Sequence, residues 1–219
     1  MALALIAVLV TGRALAAEGD IAALVAEGEA WWTSSPDPRD PVACATCHRA
    51  RDETREWAAS FPKYRPLPPP AGRVMTLLQA NAEAMRRHYG LVDPARPALA
   101  ITAYLTSRGV GVPVSPGIVS GQPAFEGRLR ALDESVGRGE RLFTRRCRSC
   151  HAPSAVARTA FLFPRVRTGQ VESLETFLES HPSERSPFGW DSQPTADILA
   201  FLMSTRAGQP IGGVPEPSP

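Results

Sequence analysis

Residues 44–48 read CATCH and residues 147–151 read CRSCH. Between them these pentapeptides hold all four cysteines of the chain, and each pair is followed at once by a histidine, His48 or His151. C-x-x-C-H is the pattern of c-type haem attachment: two thiols add to the two vinyl groups of the porphyrin, and the neighbouring imidazole falls under the iron as proximal ligand. The competing readings explain less. A redox C-x-x-C would sit in a strand-to-helix βαβ setting, and the surroundings lack the strand pattern. A four-cysteine zinc site leaves both trailing histidines unused. Disulfides within C-x-x-C are disfavoured because structural bridges usually close longer loops. The residues therefore predict two covalently attached haem c groups, one held by Cys44, Cys47 and His48, the other by Cys147, Cys150 and His151.

Outward from the motifs, the chain repeats itself imperfectly. Before the first lies IAALVAEGEAWWTSS, with apolar residues at helical spacing, and before the second ALDESVGRGERLFTRR, where GERLF echoes GEAWW. Each half also supplies a closing helix, RPALAITAYLTSRG at 96–109 and PTADILAFLMSTRAG at 194–208, with an aromatic-leucine step (Tyr104 and Leu105, Phe201 and Leu202) and an end near glycine. The stretch GVGVPVSPGIVSGQPAFEG between the halves has no helical period and reads either as a linker or as an ordered wrap-around loop. Sustained period-two alternation is absent. The expected architecture is mainly α: two tandem cytochrome c-like domains, 18–112 and 126–219, joined by a Pro/Gly-rich linker at 113–125.

Composition fits this picture. Apolar residues make up 43% of 219 residues, enough for real cores, while 22 prolines and 17 glycines imply short helices and long ordered loops. A net charge of +2 gives no push towards nucleic acid. The opening residues are apolar and end in Ala14, Leu15 and Ala16, a small-x-small signal that predicts a cleaved export signal over 1–17 and a periplasmic protein, although no positive n-region precedes it. The alternative of an uncleaved anchor suffers from an apolar stretch short of the roughly 20 residues that span a bilayer. No later segment is apolar enough to span, so no membrane span is expected in the mature protein.

With every cysteine used, the distal iron ligands come from Met75, Met85, His88, His181 or Met203, unless a site is open. In the second half, QVESLETFLESHPSERSPFG reads as a helix with Val171, Leu174, Phe177 and Leu178 on one face and His181 at the next inward position. His181 is the expected ligand of the second haem. Met203, inside the closing helix, reads as a core residue. In the first half, GRVMTLLQANAEAMRRHYG (72–90) reads as one helix and offers Met75, Met85 and His88. Aligning the closing helices on their aromatic-leucine steps shifts numbering by 97 and sets His181 opposite residue 84, which favours Met85 as the first distal ligand and leaves His88 and Met75 as alternatives. A thioether ligand raises the potential and a second imidazole lowers it, so a Met85 site and a His181 site would form a wire sloping from the second haem to the first.

In order and spacing, GEAWW, CATCH, SFPKY, GRVMTLLQ and AITAYLTSRGVGVPV in the first half, with GERLFTRRCRSCH, SLETFLES and LAFLMSTRAGQPI in the second, resemble the dihaem SoxA subunit of the SoxAX cytochromes of bacterial sulfur oxidation. The resemblance implies two cytochrome c domains about a pseudo-twofold, a periplasmic setting and a small SoxX-like c-type cytochrome as partner. One departure from that family carries weight. Its haems take distal cysteine thiolates, one of which handles sulfur, whereas here His181 and Met85 stand at or near those positions and no free cysteine remains. The same holds against the thiosulfate dehydrogenases. No catalytic residue is therefore assigned, and electron carriage is favoured over a haem enzyme acting on a small sulfur species. An arginine cluster at the second motif, Arg138, Arg141, Arg145, Arg146 and Arg148, reads either as a steering surface for an acidic partner or anion, or as a solvated helix face with one arginine on a haem propionate. Arg165 and Arg167 beside FLFP extend it towards a stretch expected to cover the second haem.

Overall fold

The structure is a computed structural model; it describes residues 21–36, 42–48, 54–66, 72–118, 126–158, 165–167, 170–181 and 188–212. The expected signal at 1–17, residues 119–125 of the expected linker and the apolar stretch 161–164 lie outside the described residues.

The chain is mainly helical and its two halves follow the same plan. In the first, helix α1 (21–33) leads to the one-turn α2 (Cys44–Cys47), followed by α3 (Trp57–Ser60), a hairpin of β1 (Lys63–Arg65) and β2 (Arg73–Met75), then α4 (Leu77–Tyr89) and α5 (Ala95–Arg108). In the second, α6 (Glu126–Arg146) runs straight into the second pentapeptide, followed by α7 (Pro153–Arg158), a hairpin of β3 (Arg165–Arg167) and β4 (Gln170–Glu172), α8 (Leu174–Ser180) and α9 (Gln193–Ser204). Both hairpins are antiparallel, β1 with β2 and β3 with β4.

Each half is built on one helix crossing made possible by a glycine. A Cβ on Gly28 would overlap the carbonyl of Ala100 and press on Tyr104, and a Cβ on Gly139 would overlap the carbonyl of Asp197 and press on Phe201. The GEAWW and GERLF echo is thus the crossing of opening on closing helix, where only a missing side chain lets two backbones approach. The same shift of 97 relates Ala100 to Asp197 and Tyr104 to Phe201. It also relates the caps: Thr76 accepts from Gln79 N–H to start α4, and Ser173 accepts from Thr176 N–H to start α8.

These caps correct two expectations. The stretch 72–90 was expected as one helix, but 73–75 pair as a strand, so Met75 lies in β2 and α4 begins only after Thr76. Likewise Val171 belongs to β4 rather than to the helix carrying His181. Strands of three residues are too short to show alternation, so the sequence merges them with the helices they precede. At the other end, α9 stops at Ser204, short of the left-handed Gly208 at φ 81°, because the backbone turns over Thr205–Gly208.

The halves share a core. One cluster of buried residues joins Trp32, Met85, Tyr104 and Leu105 to Phe143, Leu174, Ile198 and Met203. The hairpins exchange sides: Val74 of β2 packs with Leu132 of α6 and Ala200 of α9, while Val171 of β4 packs against the Leu24, Leu78 and Leu99 cluster of the first half. Polar ties cross the same seam. Asp191 accepts from Arg73 at 2.9 Å and from Arg86 at 2.8 Å, and the Gln79 amide donates to the carbonyls of Trp190 and Ser192, each at 3.0 Å. Residues 113–118 form an ordered strap. Val114 N–H donates to Gln209 O (2.8 Å) near the chain's end, and Ser115 and Gly117 N–H donate to Ala59 O and Ser60 O, both at 2.9 Å. Among the described residues no helix is long and apolar enough to cross a membrane.

Candidate haem-binding sites

The first pentapeptide closes one wall of a cavity of about 530 Å³, within the usual range for small-ligand sites. Cys44, Cys47 and His48 line it, together with Trp32, Trp57, Leu77 and Ile101. The His48 ring stands edge-on to Trp57, with centroids 4.8 Å apart, and 6.0 Å from Trp32, so aromatic faces fix its direction. Met85, only 1% exposed, lines the same cavity from α4. Helical phase explains the placement: from Leu77 and Leu78, positions 81, 82 and 85 fall on the inward face, and all are buried. His88, three residues further, also lines the cavity but is exposed; Met75 is buried in β2 and is not among the lining residues. Helix α4 carries on past residue 84 because its stop is late, at the left-handed Gly90 (φ 63°), whose N–H bonds back to Arg86 and Met85 carbonyls.

The second site is made by two histidines. His151 and His181 stand with ring centroids 6.3 Å apart and planes at 74°. Two imidazoles on opposite sides of one metal ion, each at a metal–nitrogen distance of about 2.0 Å, have centroids roughly 6 Å apart, so the separation of this pair matches that of two axial imidazoles. His181 also meets the Phe177 ring edge-on at 5.5 Å. It is the C-cap of α8, with extended backbone (φ −65°, ψ 131°). Pro182 disfavours the helical conformation for the residue before it, in keeping with the end of the helix at Ser180. Met203 is buried with Phe143 and Leu174 in the core.

The cysteines are unbridged. Burial pushes the Cys44 thiol up, offset in part by a hydrogen bond with Tyr89, and burial alone pushes Cys147 up. The donor set fits covalent haem at both places: two thiols, an adjacent imidazole, and a second soft or imidazole donor brought up to each.

Of the arginine cluster, Arg138 has a packing role. Its guanidinium donates to both oxygens of Asp197 (2.8 and 3.0 Å), a carboxylate that also accepts from Ser135 and Gln193 beside the Gly139 crossing. Arg141, Arg145, Arg146 and Arg148 are exposed around the second motif. Several residues of the first cavity were not foreseen. Lys63 and Arg65 come from β1, and Arg128 and Leu129 come from α6 of the other half. No local signal in the sequence marks Arg128 as lining a cavity whose motif begins at Cys44.

A glycine-crossed pair of helices around each C-x-x-C-H, with a small hairpin and a further helix between, makes a cytochrome c-like fold. In particular, the fold is similar to that of a chain in the crystal structure of SoxXA from P. pantotrophus, with a TM-score of 0.61 and 16% sequence identity over 88% of this chain and 76% of that one. No protein-family model matches the sequence, and no curated protein matches it either.

Proposed function

We propose that the chain is a periplasmic dihaem c-type cytochrome that carries electrons within a sulfur-compound oxidation pathway, beside a small SoxX-like cytochrome. The observation that supports this reading is the 6.3 Å separation of the His151 and His181 rings, the spacing of two axial imidazoles, from residues thirty positions apart. The likeness to SoxXA supports the pathway. The half 18–112 would serve one haem through Cys44, Cys47, His48 and Met85, and the half 126–219 the other through Cys147, Cys150, His151 and His181.

Bound haem iron supplies one-electron chemistry. Everything else falls to the chain. Trp32 and Trp57 orient His48, the Met85 thioether would favour the reduced state, and the His181 imidazole would set a lower potential at the second site. With both distal positions filled and all cysteines engaged, no thiolate is left to carry sulfur.

The test is the mass and the reduced pyridine haemochrome spectrum of protein produced with a c-type maturation system. Two haems per chain are expected, one lost on Cys44→Ala with Cys47→Ala and one on Cys147→Ala with Cys150→Ala. Absence of covalent haem would end the proposal, and ready binding of carbon monoxide by the resting protein would favour a haem enzyme over a carrier.

A further inference from the structure

We propose that Arg141, Arg145, Arg146 and Arg148 form a docking surface for an acidic one-electron donor protein, which makes the second motif the port where electrons enter. This deepens the dihaem reading and rests on it. The sequence allows the arginine cluster to be a steering surface or a solvated face with one arginine on a haem propionate, and the structure divides its members. Arg138 is taken up by Asp197. The other four are exposed, and among the described residues none of them makes an ion pair or a hydrogen bond. Exposed charges of this kind add little to stability. What they supply is a field, which speeds association with an oppositely charged surface by about 10- to 1,000-fold and fades as salt rises.

Charge is segregated along this part of the chain. From Arg141 to Arg167 there are seven arginines and no aspartate or glutamate, while the whole chain carries only +2, so the remainder is net negative. A helix C-terminus favours basic residues in its last turn. That accounts for Arg145 and Arg146, but not for Arg141, a turn earlier, or for Arg148, beyond the helix. Haem chemistry also argues against the propionate role. Thioether bonds to Cys147 and Cys150 would set the vinyl edge of the ring beside Arg146 and Arg148, and the propionates leave from the opposite edge. The patch is broad as well. Arg141 and Arg145 stand one turn apart on α6, Arg146 is turned about 100° from Arg145, and Arg148 lies between the two cysteines. Cations that diverge in this way suit carboxylates spread over a protein surface, whereas a small anion wants donors that converge on one point.

In the step itself one electron leaves the donor's reduced centre and converts the second haem from ferric to ferrous, with no bond made or broken. The probe is flavodoxin, an acidic one-electron donor. Its hydroquinone reduces the oxidised holoprotein in stopped flow at low and high salt, and its oxidised form gives the Kd by calorimetry. The parent is compared with variants in which all four arginines become glutamine or all four become lysine, and with each single Arg→Gln change. At low salt the fourfold glutamine variant is expected to lose about tenfold or more in both the bimolecular rate constant and the affinity, and most of the salt dependence with them. The fourfold lysine variant should stay near the parent, and the single changes should share the loss. An unmoved rate constant or Kd in the fourfold glutamine variant would overturn the proposal. So would an equal loss in the lysine variant, which would mark a structural effect, or a loss confined to one single change, which would mark a point site for a small ion. The haem count of each variant keeps the two readings apart: if the second motif of the parent carries no haem, the dihaem reading itself fails, whereas full haem with unmoved rates fails the docking surface alone.

Discussion

The two halves use the same crossing, caps and hairpin, and differ where the iron would be held. In the first, α4 runs 13 residues to Gly90 and presents Met85 from its buried face within a cavity walled by tryptophans. In the second, α8 has 7 residues and ends before His181 and Pro182, so that the cap residue itself comes to 6.3 Å from the His151 ring. The repeat is kept where backbones touch and relaxed at the positions proposed for the distal ligands. Helix length, set by a glycine in one half and a proline in the other, decides which side chain arrives.

The largest expected effects come from removing the donors that differ. Met85→Ala should turn the first haem high-spin and open it to carbon monoxide, with the second unaffected, and His181→Ala should do the reverse; optical spectra with and without carbon monoxide read both. Loss of both low-spin signals in either variant would show that the sites are not independent. Next in size are the shared crossings. Gly28→Ala and Gly139→Ala should each cost about 1–3 kcal/mol by overpacking, read by denaturant unfolding, and similar costs would confirm that both halves depend on the same contact. Asp191→Asn weakens two arginine pairs across the seam; the partners are about a quarter to a third exposed, so a loss of about 1 kcal/mol is expected.

The smallest change concerns a carboxyl that breaks the symmetry. Glu175 is buried and takes the place that Leu78 holds in the first half, by the same shift of 97. Desolvation raises its pKa above the ordinary 4.5, with hydrogen bonds from Thr76 and Ser173 working the other way. A raised folded value means the folded state keeps a proton that the unfolded chain releases, so stability falls as pH rises above about 4.5. Glu175→Gln should therefore gain stability at pH 7 relative to the parent, and the gain should vanish below pH 4.5, where both states hold the proton. Thermal unfolding at the two pH values gives the answer; a gain that persists in acid would refute the burial argument.

Much of this was legible in the sequence because its signals are local. C-x-x-C-H is contiguous, and the echo of GEAWW in GERLF picks out the two opening helices that cross the closing ones. The hairpins were not legible, since three-residue strands beside capped helices look like the helices' own first turns. The strap at 113–118 was left open between linker and ordered loop, because its order comes from backbone bonds to Ala59, Ser60 and Gln209 and not from its own composition. Arg128 escaped for a related reason: its part in the first cavity exists only once the halves pack.

The central claim is that one chain holds two haems with different distal donors. Near-infrared magnetic circular dichroism with low-temperature EPR of the oxidised holoprotein tests it most directly. One methionine-type and one bis-histidine low-spin signal, in equal amounts, are expected. Two identical signals, or a high-spin haem in the resting protein, would contradict it.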